Sequence, residues 1–95
     1  MRTKRESLQV IHDILHAIRD RNGTIRPTHI MYKANLSHQM LKEYLADLQA
    51  KGFIEENKGR AGTTYSLTQK GFDYVRDFEV IARFMRSFGL DETQE

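Results

Sequence analysis

The chain has 95 residues, no cysteine, one proline, six glycines and a net charge of +2. That length suits one domain and can hardly enclose a substrate-sized cleft beside its own core; without cysteine there is no disulfide framework, thiolate zinc site or cysteine nucleophile. Hydrophobic residues at 39% and charged residues at 29% fit a soluble globular chain, no apolar run approaches the roughly 20 residues of a membrane span, and the basic start Met1–Glu6 does not read as a signal peptide.

The first predicted element is a helix over about 5–21. Leu8, Ile11, Ile14, Leu15 and Ile18 recur at three- and four-residue spacing, and Asn22-Gly23 ends it by accepting the left-handed conformation. Thr24–Arg26 is expected to be short and extended, since a residue before proline is pushed out of the helical region. Pro27 then opens a short helix to about Lys33, burying Ile30 and Met31. Ala34–Leu36 make a turn. Ser37 caps a third helix that runs to about Lys51 on the stripe Met40, Leu41, Tyr44, Leu45 and Leu48, with Gly52 behind it. Two strands follow, 53–56 and 63–67, joined by a loop over 57–62 that carries Lys58 and Arg60. Thr68 caps a last helix from about Gln69 to Phe88. In it Tyr74, Phe78, Ile81, Met85 and Phe88 alternate four and three apart, as in a coiled-coil seam. Phe72, Val75 and Ala82 form a second apolar line, so one line packs on the domain and the other is left for a second copy.

Two close helices and a glycine-tipped hairpin form the order of a winged helix-turn-helix, a mainly α (α+β) fold. Four segments carry a closer resemblance: Asn35-Leu36-Ser37, then Leu41-x-x-Tyr44-Leu45-x-x-Leu48, then Lys51-Gly52-Phe53-Ile54, and last Tyr65-Ser66-Leu67-Thr68-Gln69-Lys70-Gly71. With these, roughly residues 5–88 resemble an archaeal winged-helix family whose best-known members are small, abundant Sulfolobus DNA-binding proteins of the ten-kilodalton class. The resemblance implies DNA binding and a homodimer joined through the C-terminal helices. The last helix departs from that pattern. At about twenty residues, roughly 30 Å, it is short for a long coiled-coil arm, and Phe78, Phe84 and Phe88 make it unusually aromatic. The expected layout is a winged helix-turn-helix over 1–68, a dimerisation helix over 69–90 and an acidic tail over 91–95.

Charge is unevenly spread. Residues 1–36 hold seven basic side chains against three acids, while residues 37–95 hold eight against ten, and Asp91, Glu92 and Glu95 fall in the last five positions. A recognition helix reads base edges with outward residues near its N-terminus. Here those are Ser37, His38, Gln39, Lys42 and Glu43: Gln39 can pair with adenine, and Lys42 can reach guanine or phosphate. Lys58 and Arg60 on the wing are candidates for the backbone or minor groove. Thr28 and Lys33, on the helix that Pro27 opens, are candidate phosphate contacts, and Arg2, Lys4 and Arg5 a possible basic arm. Tyr44 falls on the apolar stripe and reads as core rather than as a base-stacking residue.

His12 and His16 stand four apart on the first helix, a spacing that can bind zinc, and Asp13 between them imitates a zinc-protease pattern. A catalytic zinc site needs a third protein ligand, and no spacing places His29 or His38 nearby. Two partly buried surface histidines are the simpler reading, so no metal and no cofactor is expected. There is no phosphate-cradling glycine loop and no nucleophile elbow, and no enzymatic activity is expected. The expected protein is a cytoplasmic, nucleoid-associated, homodimeric binder of double-stranded DNA, with no membrane and no small-molecule substrate. It would be a transcription regulator or an architectural chromatin protein. Two alternatives are a winged-helix protein-interaction module, favoured by Glu43, Asp47, Glu55 and Glu56, and a metal or ligand sensor built on His12 and His16.

Overall fold

A computed structural model describes residues 4–90, with side chains from Ser7 onward. The elements are α1 (Lys4–Asp20), α2 (Pro27–Ala34), α3 (His38–Ala50), β1 (Ile54–Gly59), β2 (Gly62–Leu67) and α4 (Gln69–Ser87). This is a mainly helical winged helix-turn-helix: α2 and α3 are the two close helices, and the antiparallel pair β1–β2 is the wing. The predicted acidic tail, with Asp91, Glu92 and Glu95, lies outside the described residues, as does Arg2; so do the side chains of Lys4 and Arg5.

α1 supplies the centre of the core. Ile14, Leu15 and Ile18 are wholly buried, as their spacing on one helical face requires. Leu8 departs from that pattern. It is half exposed, although its carbonyl accepts from the Tyr74 hydroxyl of α4. Asn22 does more than end the helix: its side-chain oxygen accepts a hydrogen bond from the Leu67 N–H at 2.7 Å, tying α1 to the end of the wing. The extended 24–26 segment joins the wing as a one-bridge third strand, Ile25 opposite Tyr65, with Tyr65 N–H donating to the Ile25 carbonyl at 3.1 Å.

α2 begins at Pro27 and closes on Asn35, whose φ of 55° is the left-handed value that Asn tolerates. Ser37 then caps α3 by accepting from the Met40 N–H at 3.2 Å. Leu41, Leu45 and Leu48 of α3 are buried together with Ile30 and Ala34 of α2.

The wing is longer and tighter than expected. The six-residue loop over 57–62 is in fact a two-residue turn, Arg60-Ala61, between ladders that continue to Gly59 opposite Gly62. Asn57 pairs with Thr64 and Lys58 with Thr63. The added residues of β1, Asn57, Lys58 and Gly59, bury nothing, so they lack the alternation that marks a strand in sequence.

The recognisable motifs at the ends of α3 and α4 interlock. The Thr68 hydroxyl donates to the Gly52 carbonyl at 2.6 Å and accepts from the Gly71 N–H at 3.2 Å, capping α4. Lys70 donates to the Lys51 carbonyl at 2.8 Å while its ammonium lies 4.6 Å above the Phe53 ring. Gly71 is buried against the Phe53 carbonyl so closely that a Cβ there has no room. These residues fasten α4 to the end of α3, and Lys70 is thereby a structural cation.

Candidate nucleic-acid interface

The outward side of α3 has two flanks. His38, Lys42, Ala46 and Gln49 line one wall of a groove of about 420 Å³. Its other walls are Pro27, Thr28 and Met31 of α2 and Glu56 and Tyr65 of the wing. On the second flank Gln39 and Glu43 are exposed, and Gln39 Nε2 donates to Glu43 Oε2 at 2.9 Å. The start of α2, the length of α3 and the inner face of the wing therefore form one continuous surface. Wing register decides which wing residues join it. Alternate side chains share a face of a strand, so Lys58 stands on the same face as Glu56 and Ile54, toward α3.

Cations and acids both reach this surface, and most acids are already engaged. Asp47 is paired with Lys51 at 3.0 Å. Glu56 accepts from the Tyr65 hydroxyl at 3.3 Å and lies 4.0 Å from Lys58. Burial first, then the Glu56 charge and that hydrogen bond, push the Tyr65 phenol above its ordinary value, which keeps it a neutral donor. Lys42 and Arg60 make no ion pair or side-chain hydrogen bond with any described residue. Glu43 is held by Gln39 alone, and Glu55 is exposed.

The sequence candidates separate accordingly. His38, Lys42 and Thr28 line the groove. Ser37 and Gln39 are exposed at the start of α3, with Ser37 Oγ occupied as the helix cap, and Lys58 and Arg60 stand on the wing. Lys33 is not brought to this face. It lines a cavity on the opposite side, with His12, His16, Asp20 and Glu79. Five residues of helix turn Lys33 about 140° away from Thr28. Gln49, which lines the groove, and Arg26, which reaches the wing turn, were not singled out in the sequence. Gln49 lies at the C-terminal end of α3, where the spacing from Leu45 would have found it. The Arg26 side chain donates to the Ala61 carbonyl across 35 residues, for which no local signal exists.

The predicted seam of α4 is divided by the fold. Tyr74 donates its hydroxyl to the Leu8 carbonyl at 3.0 Å and meets Phe53 edge-on at 5.8 Å. Phe78 stacks on the His12 ring at 4.3 Å. Both are spent within the chain, because α4 lies against α1. Beyond Phe78 one flank of the helix still faces α1 through Glu79, and the rest is open. Val80, Ile81, Phe84 and Phe88 are half or more exposed, Met85 is half-buried, and the Phe84 and Phe88 rings touch at 4.9 Å.

His12 and His16 face α4, away from α3 and the wing. Their Nε2 atoms lie 3.5 and 4.0 Å from Glu79 Oε2, and Arg19 approaches the other Glu79 oxygen at 3.5 Å. Among the described residues no group of three His, Asp or Glu side chains is placed to hold a metal ion. No helix among them is long and apolar enough to cross a membrane.

Comparison with known proteins agrees with this geometry. The sequence pattern of the winged helix-turn-helix family matches residues 4–86. An uncharacterised protein of Methanocaldococcus jannaschii is 39% identical over 70 residues, 74% of this chain, and the chain spans 66% of that relative's length. Among solved structures, the Sulfolobus solfataricus DNA-binding protein Sso10a-2 superposes with a TM-score of 0.70 at 20% identity, over 92% of this chain and 85% of the other. Streptococcus pneumoniae FabT, solved in complex with DNA, gives a TM-score of 0.70 at 21% identity, over 92% of this chain and 62% of the other.

Proposed function

Since the chain belongs to the winged helix-turn-helix family, we propose that it binds double-stranded DNA as a homodimer, without enzymatic activity, as a transcription regulator or an architectural protein of the nucleoid. The observation that carries this reading is the joining of Thr28, His38, Lys42 and the wing into one surface on which Lys42 and Arg60 have no ion-pair or side-chain hydrogen-bond partner among the described residues. Such cations, one on a helix that fits the major groove and one on the wing beside it, are the groups that phosphate neutralisation requires.

In the mechanism, α3 enters the major groove with His38, Gln39 and Lys42 leading. Thr28 approaches the phosphate beside the groove at the first turn of α2, where the helix dipole favours an anion. Lys58 and Arg60 grip the flanking backbone. The exposed end of α4 joins two copies and fixes the spacing of two half-sites. Similar folds support the reading: Sso10a-2 is a DNA-binding protein, and FabT has been seen on DNA.

Mobility shifts on random duplex DNA over a salt series test it. Binding is expected to weaken with a log–log slope of about −0.9 for each phosphate neutralised. Absent or salt-insensitive binding overturns it. A protein-interaction role is the second reading, supported by the exposed acids Glu43 and Glu55 beside α3 and on the wing; it gains if no duplex is bound at low salt.

A further inference from the structure

Besides the Asn22–Leu67 bond and the Gly23 N–H bond to the Tyr65 carbonyl, the segment before α2 holds the wing at two further points. The first is the Ile25–Tyr65 bridge. The second lies one residue on, where Arg26 Nη1 donates to the carbonyl of Ala61, in the turn between β1 and β2. The turn is built around this guanidinium. Gly62 follows Ala61 with φ +126°, and a Cβ on Gly62 would lie 2.7 Å from Arg26 Nη1. The space a side chain would need is the space the arginine occupies.

Besides the ladder that closes it, no other side chain among the described residues hydrogen-bonds to the turn. Residues 57–62 are all exposed, and the ladder ends at Gly59 opposite Gly62. A two-stranded hairpin standing clear of the core is only marginally ordered in water. The other end of the link is firm. The Arg26 carbonyl accepts from the N–H groups of His29 and Ile30 in the first turn of α2, and Pro27 fixes the backbone that follows. Arginine suits the task because its planar fork can fill one hydrogen bond while its remaining donors and its charge stay toward solvent.

We propose that Arg26 is a positioning residue for DNA binding: it ties the wing turn to the start of α2, so that Lys58 and Arg60 are presented on the side of the molecule that carries Lys42. The proposal rests on the DNA-binding reading above. It differs from a direct phosphate contact by Arg26, because its effect passes through the wing cations.

The test uses the full chain. In Arg26→Met, backbone amide relaxation at Arg60 to Thr63 is expected to show lost order in the free protein, while α1 to α3 are unchanged. Unchanged order in the turn overturns the proposal. On duplex DNA the same variant is expected to bind about three- to tenfold more weakly, the span of one hydrogen bond's net contribution. In a Lys58→Ala/Arg60→Ala background it should cause no further loss. An equal loss in both backgrounds overturns the positioning role and assigns Arg26 its own phosphate. If the unaltered chain binds no DNA, the proposed function fails and takes the role of the link with it; the relaxation result then still decides whether the link orders the wing.

Discussion

Gln39 donates its side-chain amide to the Glu43 carboxylate at 2.9 Å, one turn along the exposed flank of α3. A pair at this spacing is worth about 0.2–0.5 kcal/mol, whereas a bidentate amide–adenine contact discriminates by about 1–3 kcal/mol. The amide is therefore free to leave Glu43 when a base is offered. Gln39→Ala is expected to relax preference at one position of a bound site by that larger amount, with the salt slope unchanged. Glu43→Ala removes a charge that repels phosphate and is expected to tighten binding to every duplex. Titrations of single-base variants of a selected fragment check both; an equal loss on every duplex from Gln39→Ala would remove its reading role.

Lys58 near the end of β1 and Arg60 in the turn are both exposed, and as proposed they meet the DNA backbone rather than base edges. The double change Lys58→Ala/Arg60→Ala should weaken binding to all sequences alike and reduce the salt slope by about 1.8, two phosphates' worth. Parallel salt series on a selected and a random duplex measure it.

Because Phe78 stacks on His12 while Ile81 and Phe84 face solvent, charged substitutions in α4 should separate stability from assembly. Ile81→Asp and Phe84→Asp are expected to give folded monomers. Phe78→Asp is expected to lose the α1–α4 packing itself and to melt at lower temperature. Sedimentation equilibrium with thermal melts distinguishes the two. A wild-type chain that sediments as a monomer at micromolar concentration contradicts the dimer.

Burial works to raise the Glu79 carboxyl, but the Arg19 charge and then the nearby His12 outweigh it and hold the group below the ordinary carboxylate value. A carboxylate depressed in the folded state adds stability above its unfolded pKa and loses it as pH falls through the folded value. Glu79→Gln is therefore expected to destabilise the protein at neutral pH by less than about 1 kcal/mol, since the group is partly exposed and screened. The difference from wild type should shrink as pH drops below about 4. Urea unfolding at pH 7 and pH 3 checks the sign.

Most of the fold was legible in the chain, and the legible parts share a physical cause. Helix-period stripes placed Ile14, Leu15 and Ile18, and Leu41, Leu45 and Leu48, in the core. Local chemistry fixed the ends: Pro27 at a first turn, Ser37 and Thr68 as caps, Gly52 at φ +82° after α3. These effects act within a few residues, so one strand of text contains them. The outer end of β1, residues 57–59, was missed because it buries nothing and shows no apolar alternation.

The candidate site divides along the same line. That outward residues at the start of α3 and two cations on the wing would be exposed follows from their positions in sequence. That Lys33 faces away from them, that Arg26 reaches the wing turn, and that Tyr74 and Phe78 are taken up by α1 does not. The sequence alone determined where the chain is helical, where each helix starts and stops, and which stripes are apolar, because caps and periodicity are local. Only the tertiary structure decided which of α4's apolar residues remain free and which cations share a face with α3, because those depend on how helices distant in sequence are rotated against one another.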